Sequence, residues 1–413
     1  QYIMTQSYRF KKSNSTTSST SGRSTKPNSQ NRGGGRGRQG GGRKVSTLDP
    51  QMFIKKAVAS KEVKYEASRT FEDMPISRSL LTSLTKKGFS HPTEIQDKTY
   101  ETLMEGHDLM GLAQTGTGKT GAFLIPIIEK LLQNNQRSYA LVVVPTRELA
   151  LQVEEEFRDM TQTCNLTTAS FIGGTSVNMD EKKLRKPLNV IIGTPGRLLD
   201  LHSRGKLNLR YVNTLVLDEF DRMLDMGFAK DVQRIINELR SRKQTMLFSA
   251  TLLGSQQKMI DEILRNPVEV RVSSGETSGD QIEQDIVRLN PGEDKFKKLV
   301  DMLNSEEFSR VILFDETKHK VNRLCGKLNK VGIKADQIQG NKSQNARQRA
   351  LNSFKKGQIQ VLVATDVAAR GIDVEDVSHV INYERPVTFE SYIHRIGRTG
   401  RAGNLGKAFT FVD

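Results

Sequence analysis

Cysteine is nearly absent from this 413-residue chain: Cys164 and Cys325 are the only two. Two thiols cannot build a disulfide scaffold, and a reducing, cytoplasmic setting is expected. Long apolar runs are missing as well. No stretch approaches the ~18 residues of a membrane span, and the first residues contain no apolar core of a secretory signal. Acidic residues are scarce at one end, where residues 1–50 hold ten Lys+Arg and a single acid, Asp49. These absences disfavour a membrane protein, a secreted mini-domain and a structural-zinc protein. What is present is positive charge: 63 Lys+Arg against 47 Asp+Glu, a net +16, with 36% hydrophobic residues to build cores. Such a balance points to a polyanionic partner.

The charge is concentrated. Residues 1–50 carry +9 of the +16 and are rich in Ser, Thr, Asn and Gly. A segment with so few branched aliphatics cannot offset its ordering entropy, so a disordered basic arm is expected. Its run Arg32-Gly-Gly-Gly-Arg-Gly-Arg38 resembles Arg-Gly-rich arms that hold RNA through charge and stacking. The plainer reading is a solvated linker. Residues 51–70 read as a connecting segment. The chain starts at Gln1 rather than Met, as a fragment would.

Beyond residue 70, short apolar runs alternate with helix-period segments. Ala140–Val144, Val190–Ile192, Thr214–Leu217 and Thr245–Phe248 form one series of expected strands. Val311–Phe314, Gln360–Ala364, Val380–Asn382 and Ala408–Val412 form a second. Runs apolar on both faces suit parallel strands covered by helices. The polar, glycine-spaced Ser273–Asp280 lies between the series and reads as a linker. The expectation is therefore two α/β parallel-sheet lobes, 71–272 and 282–413, joined by 273–281.

Ala113-Gln-Thr-Gly-Thr-Gly-Lys-Thr120 follows the apolar Leu109–Leu112 and precedes a helical stretch. Strand, glycine loop and helix form the context of a phosphate-binding loop. Thr115, Gly116, Thr117 and Gly118 would turn backbone N–H groups toward phosphate oxygens, aided by the helix N-terminus. Lys119 would neutralise the β and γ phosphates of ATP, and the Thr120 hydroxyl would ligate Mg²⁺. Downstream, Leu215-Val-Leu-Asp-Glu-Phe-Asp221 ends an apolar run in carboxylates, at the strand edge where ligands of parallel sheets bind. Asp218 can hold Mg²⁺, and Glu219 can orient and deprotonate the attacking water. Taken alone, each motif has a plain structural reading: a glycine turn, an acidic helix cap.

Together with six further motifs they make a specific ordered set: Pro145–Ala150, Gly173-Gly174, Thr194–Arg197, Ser249–Thr251, Ala364–Asp373 and His394–Arg401. Over about residues 71–413 the chain resembles the DEAD-box RNA helicases of superfamily 2. The resemblance implies two tandem RecA-like lobes and RNA-stimulated ATP hydrolysis coupled to unwinding or to remodelling of RNA–protein particles by lobe closure. It implies single-stranded RNA and short duplexes as sequence-independent partners, with protein cofactors besides. Gly88–Gln96, seventeen residues after Phe71, is similar to the family's adenine-reading Q motif, with Gln96 on the base and Phe71 stacked on it. Thr93-x-x-Gln96 is equally a helix capping box.

By the same resemblance, Thr146, Arg147, Gly174, Thr194 and Arg197 form a phosphate track in the first lobe. Gln344, Arg347, Thr365 and Gly371 touch RNA from the second, and Asp373 contacts the ribose. Arg398 and Arg401 act as fingers on the γ-phosphate. Asp221, Ser249, Thr251 and His394 couple nucleotide state to closure. Two departures stand out. Phe220 replaces the Ala of Asp-Glu-Ala-Asp, and Gln339-Gly340 replaces the usual His-Gly. The family also continues beyond the position of Asp413. Two other functions are compatible with the motifs: an ATP-dependent RNA clamp with slow turnover, and a DNA translocase.

Overall fold

The computed structural model describes residues 48–57, 65, 67–114, 116–133, 139–252, 254–272, 282–369, 374, 377–400 and 405–412. The expected arm up to residue 47, the linker 273–281, and Thr115, Gly371, Asp373 and Arg401 lie outside them.

The apolar runs become two all-parallel sheets. The first contains β1 (Leu109–Leu112), β2 (Tyr139–Val143), β3 (Thr168–Phe171), β4 (Val190–Gly193), β5 (Val212–Leu217), β6 (Gln244–Ser249) and β7 (Val268–Arg271). Its spatial order is β3-β4-β2-β5-β6-β1-β7. The second contains β8 (Ile282–Arg288), β9 (Val311–Phe314), β10 (Ala335–Ile338), β11 (Val361–Ala364), β12 (His379–Asn382) and β13 (Gly406–Val412). Its order is β10-β11-β9-β12-β13-β8. Each sheet is covered on both faces: the buried apolar residues of each lobe divide into two clusters, one on either side. This is the doubly covered arrangement that continuous apolar strands require. The fold is thus two RecA-like α/β lobes.

The topology sets the site. β5, β6 and β1 are neighbours in the first sheet. The carboxylate run after β5, the Ser249–Thr251 turn after β6 and the glycine loop after β1 therefore emerge side by side at one sheet edge. Ahead of the first lobe, Pro50–Phe53 forms a short 3₁₀ helix, and Lys55 makes an antiparallel bridge to Gln284 on β8. Among the described residues no helix is long and apolar enough to cross a membrane.

Candidate nucleotide and RNA site

The glycine loop leads from β1 into the helix Lys119–Gln133. Gly116 and Gly118 have φ of +89° and +91°, a backbone conformation that only glycine adopts without strain. A Cβ on Gly118 would also sit 2.5 Å from Thr93 Oγ1. Lys119 is buried, and its Nζ donates to the Ala113 carbonyl at 2.7 Å, so the amine is folded back over the loop. Thr117 Oγ1 donates to the Gln114 carbonyl at 2.8 Å.

Gln96 braces this loop from outside. Its Oε1 accepts from the Thr93 N–H at 3.0 Å, completing a capping box on the helix Glu94–Glu105. Its Nε2 donates to the Gly118 carbonyl at 3.1 Å. The amide thus caps its own helix and fixes the phosphate loop at once. Phe71 is buried, within the same core cluster as Met74, Leu80 and Leu84. Stacking on a base would require its ring to be uncovered.

Next to the loop lie three buried carboxylates, Asp218, Glu219 and Asp221. Asp218 Oδ1 accepts from the Glu219 N–H at 2.9 Å. Burial first, with the charges of Glu219 and Asp221, pushes the Asp218 carboxyl up to about 6 against the opposing Lys119 charge and that hydrogen bond. Glu219 takes a left-handed backbone conformation, φ 52° and ψ 51°, rare and costly for a non-glycine residue. Its carboxylate is ion-paired with Arg222, one turn on and equally buried. The Asp221 carboxylate is fully engaged: Oδ2 accepts from Thr251 N and Oγ1, both at 2.9 Å, and from Ala250 N at 3.2 Å. Ser249 Oγ donates to the Thr251 carbonyl at 2.6 Å. One carboxylate therefore ties the turn after β5 to the turn after β6. Phe220, between these acids, is fully buried in the opposite core cluster.

The donor set suits a hydrated divalent cation. Asp218 is a buried carboxylate with two acidic neighbours, and Lys119 is the cation that offsets them. Among the described residues no three His, Cys, Asp or Glu cluster as a cage. One hydroxyl and one carboxylate leaving most positions to water and phosphate is the habit of Mg²⁺.

The expected first-lobe RNA residues follow β2, β3 and β4: Gly174 lies in a turn, Thr146 and Thr194 immediately precede helices, and Arg147 and Arg197 lie in the first turns of those helices. Thr146 caps the helix Arg147–Met160, accepting from Leu149 N at 3.3 Å. Arg147 lies over Gly173-Gly174, where a Cβ on Gly174 would come within 2.3 Å of its guanidinium. Thr194 precedes the helix Pro195–Ser203. Arg197 donates to Asp180 Oδ2 at 2.9 Å and to the Thr175 carbonyl at 2.7 Å.

The second lobe meets this track. Glu148 is buried; its Oε1 accepts from Gln344 Nε2 at 3.2 Å, and Oε2 lies 3.0 Å from Arg347. Arg147 is held below the usual arginine range by burial first, then by Arg347 and Arg197, with Glu148 opposing. Thr365 sits at the start of the helix after β11, its carbonyl accepting from Ala368 and Ala369. Arg395 is consumed by structure: it binds Asp366 through two nitrogens, Asn382 at 3.1 Å and the Glu384 carbonyl at 2.8 Å. Arg398 is buried beside His394, its Nε 3.4 Å from that residue's carbonyl.

Sequence reasoning missed Glu148, Asp180 and Arg222. Glu148 stands inside the Pro145–Ala150 motif, so its inter-lobe role had a signal. Asp180 and Arg222 had none, because their partners are set by the fold.

The family model for the DEAD/DEAH box helicase matches residues 93–260, and that for the helicase conserved C-terminal domain matches 294–403. Over 343 residues, 83% of this chain, the sequence is 42% identical to the ATP-dependent RNA helicase CshA of Listeria monocytogenes, covering 66% of that protein. It is also 42% identical to the DEAD-box ATP-dependent RNA helicase CshA of Geobacillus kaustophilus, covering 73%. The fold is similar to that of S. cerevisiae Dbp5 bound to RNA and ADP BeF3, with TM-score 0.73, 31% identity, and coverage of 84% of this chain and 90% of that one.

Proposed function

The chain belongs to the DEAD-box family of ATP-dependent RNA helicases, which are ATP hydrolases, and from that premise we propose how its residues divide the work. The glycine loop and Lys119 bind the ATP phosphates, while Thr120 and Asp218 hold Mg²⁺. When bound, Mg²⁺ supplies positive charge that offsets the phosphate oxygens and the buried acids. Gln96 reads adenine from the helix that already braces the loop. Glu219 takes the proton of the attacking water, after Arg222 releases its carboxylate. Asp221, Ser249 and Thr251 transmit the state of the site to the lobe interface. Arg398, with Arg401, stabilises the charge that develops on the γ-phosphate.

The observation that carries the RNA reading is the arginine cluster. Arg147, Arg197 and Arg347, from two lobes, lie close enough that the charges of Arg347 and Arg197 add to burial in depressing Arg147. Their nearby acids are Glu148, already bound by the second lobe, and Asp180, already bound to Arg197. An RNA backbone would supply the missing negative charge across both lobes, so that RNA binding favours closure and closure brings Arg398 to the nucleotide. Such contacts position a strand without reading bases. A cytoplasmic setting fits the two free thiols.

The test is the ATPase rate with no nucleic acid, with RNA and with DNA of the same sequence. RNA-only stimulation supports this reading. Saturable RNA binding without turnover would make the protein a clamp, and stimulation by DNA would make it a DNA translocase. Lys119→Ala should lose ATP binding in every arm while keeping its circular dichroism spectrum.

A further inference from the structure

The segment before the first lobe is built into the second. Asp49 Oδ1 accepts from the Gln51 N–H at 2.9 Å and Pro50 starts the short helix, so the turn is locally specified. Phe53 is fully buried, with its ring centroid 4.7 Å from that of Tyr392. It shares a core cluster with Ile282, Tyr392 and Val412 of the second lobe, against which Leu48 also packs. The flanking Met52 and Ile54 are 45% and 50% exposed, so Phe53 is a single inserted knob. Lys55 and Gln284 exchange two backbone hydrogen bonds, 2.9 and 2.8 Å, and Gln284 Oε1 accepts from Tyr392 Oη at 2.9 Å. The bridge pairs the open side of β8, an edge strand, at Gln284.

Ten residues further on, the chain is fixed to the first lobe. Tyr65 Oη donates to Asp97 Oδ2. Arg69 donates to Asp97 Oδ1 at 2.5 Å and to Glu101 Oε1 at 2.7 Å. Both acids lie on the helix Glu94–Glu105, the helix whose Gln96 holds the Gly118 carbonyl.

We propose that residues 48–69 are a second tether between the lobes, clasped to the second lobe by Phe53 and ending on the helix that braces the phosphate loop. The argument needs only the number of residues between the anchors. Ten residues span at most roughly 33–36 Å. The connection from Val272 to Ile282 is also ten residues. A second connection of similar length, attached at a different point, excludes open arrangements that a single one would allow. The closed arrangement is then recovered from a smaller set of open ones, which raises the effective concentration of one half-site near the other. The tether stands on its own contacts; its effect on turnover rests on the closure mechanism proposed above.

The experiment places dyes on Met179→Cys and Val331→Cys, exposed positions in different lobes, in a Cys164→Ser background. Cys325 is buried and does not compete for label. Two perturbations are compared. Phe53→Asp breaks the clasp. A Gly-Ser insertion between Ala57 and Tyr65 about doubles the tether while leaving the clasp intact. Both should broaden the inter-dye distance distribution of the nucleotide-free protein. Both should also raise the RNA concentration for half-maximal ATPase about tenfold, with little change in the maximal rate. If Phe53→Asp fails to fold, the insertion decides alone. An insertion variant with the parent's distance distribution would overturn the tether. Broadened distances in a protein whose ATPase ignores RNA would leave the tether standing and overturn the functional reading.

Discussion

At the scale of single residues, the cost of burying a charge is clearest in one carboxylate beside the glycine loop, Asp218. Its pKa is raised to about 6, mainly by burial, so the folded state binds the extra proton below that value. The stability this contributes is fully present below the ordinary carboxylate range and is lost as pH rises through about 6. At pH 7.5 the ionised group is a cost to the ligand-free fold. Asp218→Asn should therefore raise the melting temperature by a few degrees at pH 7.5 but hardly at pH 4, while abolishing Mg²⁺-dependent hydrolysis. Calorimetry at both pH values checks it, and an unstabilised variant would mean the carboxylate is better solvated than its burial implies. Glu219→Gln should behave oppositely. It strands the buried Arg222 guanidinium without its counter-charge, so the fold should lose stability. It should also remove the base, trapping ATP and RNA in a closed complex with long-lived retention of labelled RNA. Normal turnover would reassign the base.

At the scale of elements, legibility depended on position in the sheet. Interior strands such as β2, β5, β9 and β11 are apolar on both faces and stand out as runs like Leu141-Val-Val143 or Val361-Leu-Val363. The strands that escaped sequence reading, β3, β7, β8 and β10, are the four sheet edges. Edge strands face solvent along one side, and β8 alternates buried and exposed residues as Ile-Glu-Gln-Asp-Ile-Val-Arg. The short runs Val-Glu-Val-Arg and Ala-Asp-Gln-Ile carry too little apolar signal to be told from loops. The glycine motifs were legible because Gly116, Gly118 and Gly174 take positive φ, which few other residues tolerate. Pairings such as Arg197 with Asp180 were not, since nothing local selects the partner. Phe220 tests the boundary between element and site. It lies between Glu219 and Asp221, yet its ring is fully buried in the first-lobe core. Phe220→Ala should cost ~3–5 kcal/mol in chemical denaturation if a cavity remains, and retain RNA-dependent ATPase per folded molecule. A stable, inactive variant would show that the ring acts in catalysis.

At the scale of the whole molecule, the basic N-terminal residues and the clasp that follows them should be separable. Residues 1–47 contain ten Lys+Arg and no acid, whereas every functional assignment in the lobes lies beyond residue 70. Charge of that density adds affinity for RNA without reading its sequence, by releasing counterions from the phosphates it neutralises. Each such contact on a single strand steepens the dependence of log affinity on log salt by ~0.7. Leu48 marks the boundary, since it already packs on the second lobe. Deleting 1–47 should flatten the salt dependence and weaken RNA binding chiefly at low salt, with the ATPase rate at saturating RNA unchanged. Deleting 1–57 removes Phe53 and the Lys55 bridge as well. That longer deletion should add a loss of RNA affinity that persists at high salt, because it acts through lobe geometry and exposed apolar surface rather than through charge. Fluorescence anisotropy across a salt series on both truncations separates the two effects. Parallel salt plots for the full chain and the 1–47 deletion would mean the basic residues contact something other than RNA, and coincident plots for the two deletions would mean the clasp contributes nothing to RNA binding.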